Sequence, residues 1–321
     1  MWALSSENNS KIIISKNSVE NSADVRPQPA LMDTHELAAR LDRGDRVVLI
    51  DVRWSLAASL AKTEESTTPV GFEDYQSGHL PGALFVDLET ELAAPPTRED
   101  GRHPLPSHEA FQETVRSLGI EQDDLVVVYD SVAGMSAARA WWLLSNAGIR
   151  CSVLDGGLNA WVSAGGALET GNVPRPQPSV VVLPWNLKPI VKHQDVASFA
   201  QFGSLLDARA GERYRGETEP IDPRAGHIRG AISAPTSENV TAEGYFKSTE
   251  ALQARFAPLF TEGNEKDRPV AAYCGSGITA SHQILALEVA GIEAALYPGS
   301  WSQWSADEHL PVATGNERTL D

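Results

Sequence analysis

Cys274 closes a short apolar run, Val270-Ala271-Ala272-Tyr273, and is followed at once by Gly275-Ser276-Gly277. From Ser281 to Ala290 the chain reads as an apolar helix with Thr279 or Ser281 as its N-cap. A strand ending at a cysteine, then two glycines and a helix start, gathers several backbone N–H groups around one sulfur. A free thiol titrates near about 8.5, and a helix N-terminus or cationic neighbour lowers that to roughly 3.5–7.5. The spacing therefore predicts a thiolate nucleophile inside an anion cradle. A cysteine that merely fills a core needs no glycines after it.

The net charge of −17 argues against nucleic acid and anionic membranes as partners. An anionic substrate would have to be collected by a local cluster of cations, and residues 207 to 224 supply Arg209, Arg213, Arg215 and Arg224. Arginine suits planar anions because its fork donates two parallel hydrogen bonds. No Cys/His spacing fits a metal site, and no cofactor is expected. A Cys-x5-Arg phosphatase loop is excluded, since Ala280 stands six positions after Cys274. Two cysteines, Cys151 and Cys274, make no disulfide framework and suit a reducing, cytoplasmic setting.

The elements that must carry these residues alternate between strand and helix. Thr34–Leu41 reads as helix, Arg46–Arg53 as buried strand, 107–118 as helix, Leu125–Asp130 as strand, 136–147 as helix and Cys151–Gly157 as strand with turn. Such alternation predicts α/β architecture, a mostly parallel sheet with helices on both faces. The second half repeats the first. Leu205-Leu206-Asp207-Ala208-Arg209 echoes Leu49-Ile50-Asp51-Val52-Arg53, and Gly226-His227 echoes Gly78-His79. These copies predict two domains of one design, 31–170 and 190–321, joined by a Pro-rich linker over 171–189. Residues 1–30 read as a disordered extension or a leader, and no apolar run is long enough to span a membrane. Tyr129-Asp130 occupies in the first copy the place of Tyr273-Cys274, so that copy has no nucleophile and its loop reads as degenerate. His79 and His227, present in both copies, are expected to be structural, and Trp301 and Trp304 to lie in the core.

Cys274-Gly275-Ser276-Gly277-Ile278-Thr279 resembles the active loop of rhodanese-type sulfurtransferases, specifically the 3-mercaptopyruvate branch, and the tandem layout resembles their two-domain form. The resemblance implies an enzyme in which Cys274 carries a persulfide, with an inactive first domain and a catalytic second one. It implies substrate-binding roles for Arg213, Arg224 and the loop residues Gly275, Gly277, Ile278 and Thr279. It further implies that Ser276 works with His103 and with an acid from the first domain. That acid falls at Glu89, where the family has aspartate. The implied partners are a small anionic sulfur donor and a thiol acceptor such as a thioredoxin, or cyanide. Thiosulfate as donor, and a persulfide carrier without turnover, are the alternatives.

Overall fold

The structure is a computed structural model that describes residues 28–63, 66–260, 268–316 and 318. The expected disordered extension falls almost wholly on residues 1–27, outside the described residues.

Each half builds a parallel sheet from short buried strands. In the first they are β1 (Leu31–Met32), β2 (Val47–Asp51), β3 (Leu84–Phe85), β4 (Leu125–Tyr129) and β5 (Arg150–Leu154), ordered β1-β5-β4-β2-β3. The second half has β6 (Ser204–Asp207), β7 (His227–Ile228), β8 (Ile232–Ser233), β9 (Val270–Tyr273), β10 (Ala294–Leu296) and β11 (Val312–Ala313). Its main sheet is ordered β10-β9-β6-β8, and β11 pairs antiparallel with β7. The place of β1 is taken by a single parallel bridge, Ile190 to Leu296. The central strands β4 and β9 are buried at every position, as strands covered on both faces must be.

The repeated Asp-x-Arg closes β2 and β6 in the same way. Arg53 donates to the Asp51 carboxylate and the Gly78 carbonyl, and Arg209 to Asp207 and the Gly226 carbonyl. Each pair thereby staples its strand end to the turn that carries the repeated histidine. The ring of His79 stacks on Tyr75 and that of His227 on Tyr214, each sharing a hydrogen bond with the tyrosine carbonyl. Both histidines are structural. Trp301 and Trp304 are buried in the second core.

The helices that follow β4 and β9, Ala137–Asn146 and Ile278–Val289, pack on one another and join the two halves through one continuous apolar cluster. The segment 171–189 has no regular secondary structure, yet it is strapped to the helix His108–Ser117. Val181 and Leu183 are buried there, Arg116 donates to the Val181 carbonyl, and Trp185 stacks on His108.

Candidate functional site

Cys274 follows β9 and is only 2% exposed. Its Sγ accepts the Gly277 N–H at 3.1 Å, and its own amide donates to Ser300 Oγ at 3.1 Å. The helix starts at Ile278 with Gly277 as N-cap, in place of the expected Thr279 or Ser281. Gly277 has φ +87°, and a Cβ there would lie 2.5 Å from the Pro298 carbonyl oxygen, so only glycine can aim this amide at the sulfur. Ser281 Oγ donates back to the Gly277 carbonyl, while Thr279 stands in the first helical turn. Gly275, Ser276, Gly277 and Ile278 are buried around the sulfur, and Thr279 is half-buried.

The first domain closes this loop. Its segment 97–103 turns through a bridge between Thr97 and Gly101, and the Arg102 amide donates to Ser302 Oγ at 3.0 Å. The next residue, His103, shares a 2.7 Å hydrogen bond through Nδ1 with Ser276 Oγ, across 173 positions of sequence. Burial, reinforced by the Arg139 and Arg102 charges, lowers the His103 pKa to about 3, so the ring is neutral at physiological pH. Glu89 does not reach it. The Glu89 carboxylate accepts from Trp54 Nε1 at 3.2 Å and from the Ser59 hydroxyl, and Trp54 stands edge-on to His103 with ring centroids 5.4 Å apart. The acid thus fixes an aromatic wall beside the histidine and makes no hydrogen bond to the imidazole.

Of the two expected arginines, the structure brings one to the loop. Arg213 bonds Glu219 and Asp222 through Nε and Nη2, and its Nη1 lies 3.5 Å from where a Cβ on Gly275 would sit. Arg224 is turned away, donating to the carbonyls of Trp304, Ser305, Asp307 and Leu310 at 2.5–2.9 Å, where it ties down the end of the helix Ser300–Ala306.

Three contributors escaped the sequence reading. Arg139 is fully buried and donates to the carbonyls of Leu92, His103 and Pro104, holding the closing segment. Its remaining Nη1 has no hydrogen-bond partner and lies 3.4 Å from the Cβ position of Gly277. Burial pushes its pKa down to about 10, against the pull of the Cys274 sulfur. The available signal was one charge inside Ala137-Ala138-Arg139-Ala140-Trp141-Trp142, an otherwise apolar turn. Ser300 receives the Cys274 amide with φ +54°, a strained conformation that the first copy gives to a glycine, Gly157 at φ +57°. The third is Arg102.

The first copy's loop is not degenerate in shape. Asp130, fully buried, takes the place of the cysteine, and its carboxylate accepts four backbone N–H groups, from Val132, Gly134, Ser136 and Ala137. Burial raises this carboxyl's pKa while the four amides pull it back. The cradle is intact and is already filled by a carboxyl group of the chain's own.

The two helices at the interface reach across reciprocally. As Arg139 approaches Gly277, so His282 Nε2 bonds the carbonyl of Ala133, whose φ of +61° matches the left-handed Gly277. Burial lowers the His282 pKa to about 4. Both depressed histidines favour the neutral form in the fold. Their contribution to stability is therefore complete above pH 6.5 and is lost as pH falls from there toward the folded values. Each removes about 1.4 kcal/mol per pH unit within that window. Denaturant titrations between pH 7 and 4.5 are expected to show a slope shallower by about that amount in His282→Gln; an unchanged slope would refute the assignment.

A family model described as a rhodanese-like domain matches residues 33–164 and again 191–307. A relative named putative thiosulfate sulfurtransferase SseB, from Mycobacterium tuberculosis strain H37Rv, is 44% identical over 89% of this chain and 97% of its own length. A probable 3-mercaptopyruvate sulfurtransferase of Pseudomonas aeruginosa is also 44% identical, over 89% of this chain and 98% of its own. Among solved structures, the 3-mercaptopyruvate sulfurtransferase SseA of Escherichia coli superposes with a TM-score of 0.71 at 32% identity, covering 85% of this chain and 99% of that one.

Proposed function

The chain belongs to the rhodanese family of sulfurtransferases, in which it carries two copies of the domain, and on that premise we propose that it takes its sulfur from 3-mercaptopyruvate. The Cys274 thiolate attacks the donor sulfur. A new S–S bond forms with the thiolate's electron pair, and the C–S bond breaks with its pair passing to the enolate of pyruvate. The enolate takes up the proton that the transferred S–H gives up as the persulfide ionises, relayed by Ser276 and the neutral His103, and leaves as pyruvate. A thiol such as that of a thioredoxin, or cyanide, removes the outer sulfur and returns the Cys274 thiolate, a ping-pong cycle. The loop amides, Gly277 foremost, stabilise the anionic sulfur as an oxyanion hole does oxygen. Two free, buried cysteines suit a reducing compartment such as the cytoplasm. Among the described residues no helix is long and apolar enough to cross a membrane.

The observation that carries the donor assignment is the 2.7 Å pair of Ser276 and His103 one residue from the nucleophile's neighbour. Pyruvate leaves as an enolate and needs a proton, whereas the sulfite released from thiosulfate is a stable anion that needs none. A proton-handling pair therefore has work to do only with the first donor. General acid–base groups contribute roughly 10²–10⁴-fold. We expect His103→Ala and Ser276→Ala to lose about 100-fold or more in kcat/KM with 3-mercaptopyruvate, and only a few-fold with thiosulfate. Equal losses with both donors, or a wild-type preference for thiosulfate by a wide margin, would overturn the assignment.

A further inference from the structure

Arg139 lies wholly buried in the interface helix Ala137–Asn146 of the first domain. Burial lowers its pKa only to about 10, so the guanidinium is charged at neutral pH. A charge in such a place is costly unless an opposite charge compensates it. Among the described residues Arg139 bonds three carbonyls, of Leu92, His103 and Pro104, and no carboxylate. Its Nη1, buried without a hydrogen-bond partner, lies 3.4 Å from the Cβ position of Gly277, the residue whose amide meets Cys274 Sγ at 3.1 Å. Two other cations reach the loop, and both are already paired. Arg102 Nη2 and Arg213 Nη1 lie 3.3 and 3.5 Å from the Cβ position of Gly275, but Arg102 bonds Asp222, and Arg213 bonds Asp222 and Glu219. His103, on the closing segment, is neutral. The two copies differ in the same sense. Asp130 accepts four amides, and the side chain that reaches its loop from across the interface is the neutral His282. Cys274 Sγ accepts one amide among the described residues, and the side chain that reaches its loop is a cation.

We propose that Arg139 is the counter-ion of the Cys274 sulfur, a positioning residue that reaches across the domain interface and keeps the nucleophile ionised. What the first copy supplies with peptide dipoles, the second supplies with a charge. The same guanidinium holds the carbonyls of His103 and Pro104, so one side chain ties the closing segment and the charge of the sulfur together. This rests on Cys274 being the nucleophile of the sulfurtransferase reading and adds a first-domain residue to that site. It also gives the domain without a cysteine a part in the chemistry of the other.

Alkylation of Cys274 by the neutral reagent iodoacetamide, followed by mass spectrometry of the Cys274 peptide, reads the charge of the sulfur without any sulfur donor. A nearby opposite charge favours the ionised form by about 10-fold or more. In Arg139→Gln the rate at about pH 6 is therefore expected to fall by about 10-fold, and the deficit to close as the pH rises to where any thiol ionises unaided. Arg139→Lys keeps the charge but cannot bond three carbonyls, and is expected to recover most of the rate. A deficit of the same size at every pH, or equal deficits in the two variants, would make Arg139 only a tie for the closing segment and overturn the proposal. The isosteric pair Cys274→Asp and Cys274→Asn tests it from the side of the sulfur with Arg139 in place. The urea midpoint of Cys274→Asp is expected to lie above that of Cys274→Asn, because the buried guanidinium keeps an anion; a midpoint for Cys274→Asn equal or higher would overturn the proposal as well. Undiminished pyruvate release by Cys274→Ser would instead fail the sulfurtransferase reading, while the alkylation profile still reported on the pair.

Discussion

Cys274→Ser is expected to abolish sulfur transfer from either donor while leaving the fold intact. The serine hydroxyl is smaller than the thiol, fits the same buried position and can still accept the Gly277 amide. What it lacks is an ionisable, polarisable sulfur: no persulfide forms, and the first half-reaction stops. Removing a covalent nucleophile costs on the order of 10⁶ in kcat where it has been measured in hydrolases, so pyruvate release should drop to the uncatalysed background. Mass spectrometry after exposure to donor should find one added sulfur on the wild-type chain and none on the variant. Undiminished pyruvate release by Cys274→Ser would end the mechanism outright.

The second large effect lies in the domain whose loop carries Asp130 in place of the cysteine. Asp130→Ala removes an acceptor shared by four amides, three of them in buried hydrogen bonds, and each buried one costs about 1–3 kcal/mol when orphaned. A loss of about 4 kcal/mol or more is expected, a large part of the about 5–15 kcal/mol that holds a typical domain together. Asp130→Asn keeps one oxygen and turns an NH₂ toward the other two amides, so its urea midpoint should fall between those of Asp130→Ala and the wild type. An Asp130→Ala midpoint equal to wild type would mean that the carboxylate does not hold the loop.

Much of this was legible in the sequence because it is local. The loop from Cys274 to Thr279 has its chemistry within six consecutive residues, and the Asp-x-Arg staples announce the duplication by recurring with the same turn histidine. Asp130 and its loop were misjudged because composition hides what the backbone does: Ala133 adopts the left-handed conformation that Gly277 adopts in the second copy. The N-cap expectation failed for a related reason, since Gly277 was needed to aim an amide at sulfur and a threonine or serine Cβ cannot enter there. Contacts across the interface were the least visible. Arg102 meets Asp222 over 120 positions, and the family pattern pointed to Arg224, which four carbonyls hold elsewhere. Glu89 sits where the pattern places an acid, but its longer side chain ends on Trp54.

The depth at which the sulfur lies has a consequence for the second half of the cycle. A macromolecule approaching the empty enzyme finds almost none of Cys274 on the surface. On the proposed cycle, loading would lengthen the residue by one S–S bond, about 2 Å, so the acceptor would meet the added sulfur before Sγ. On that reading the cargo itself would supply the reach, while the unloaded enzyme keeps its thiol buried, out of the way of oxidants.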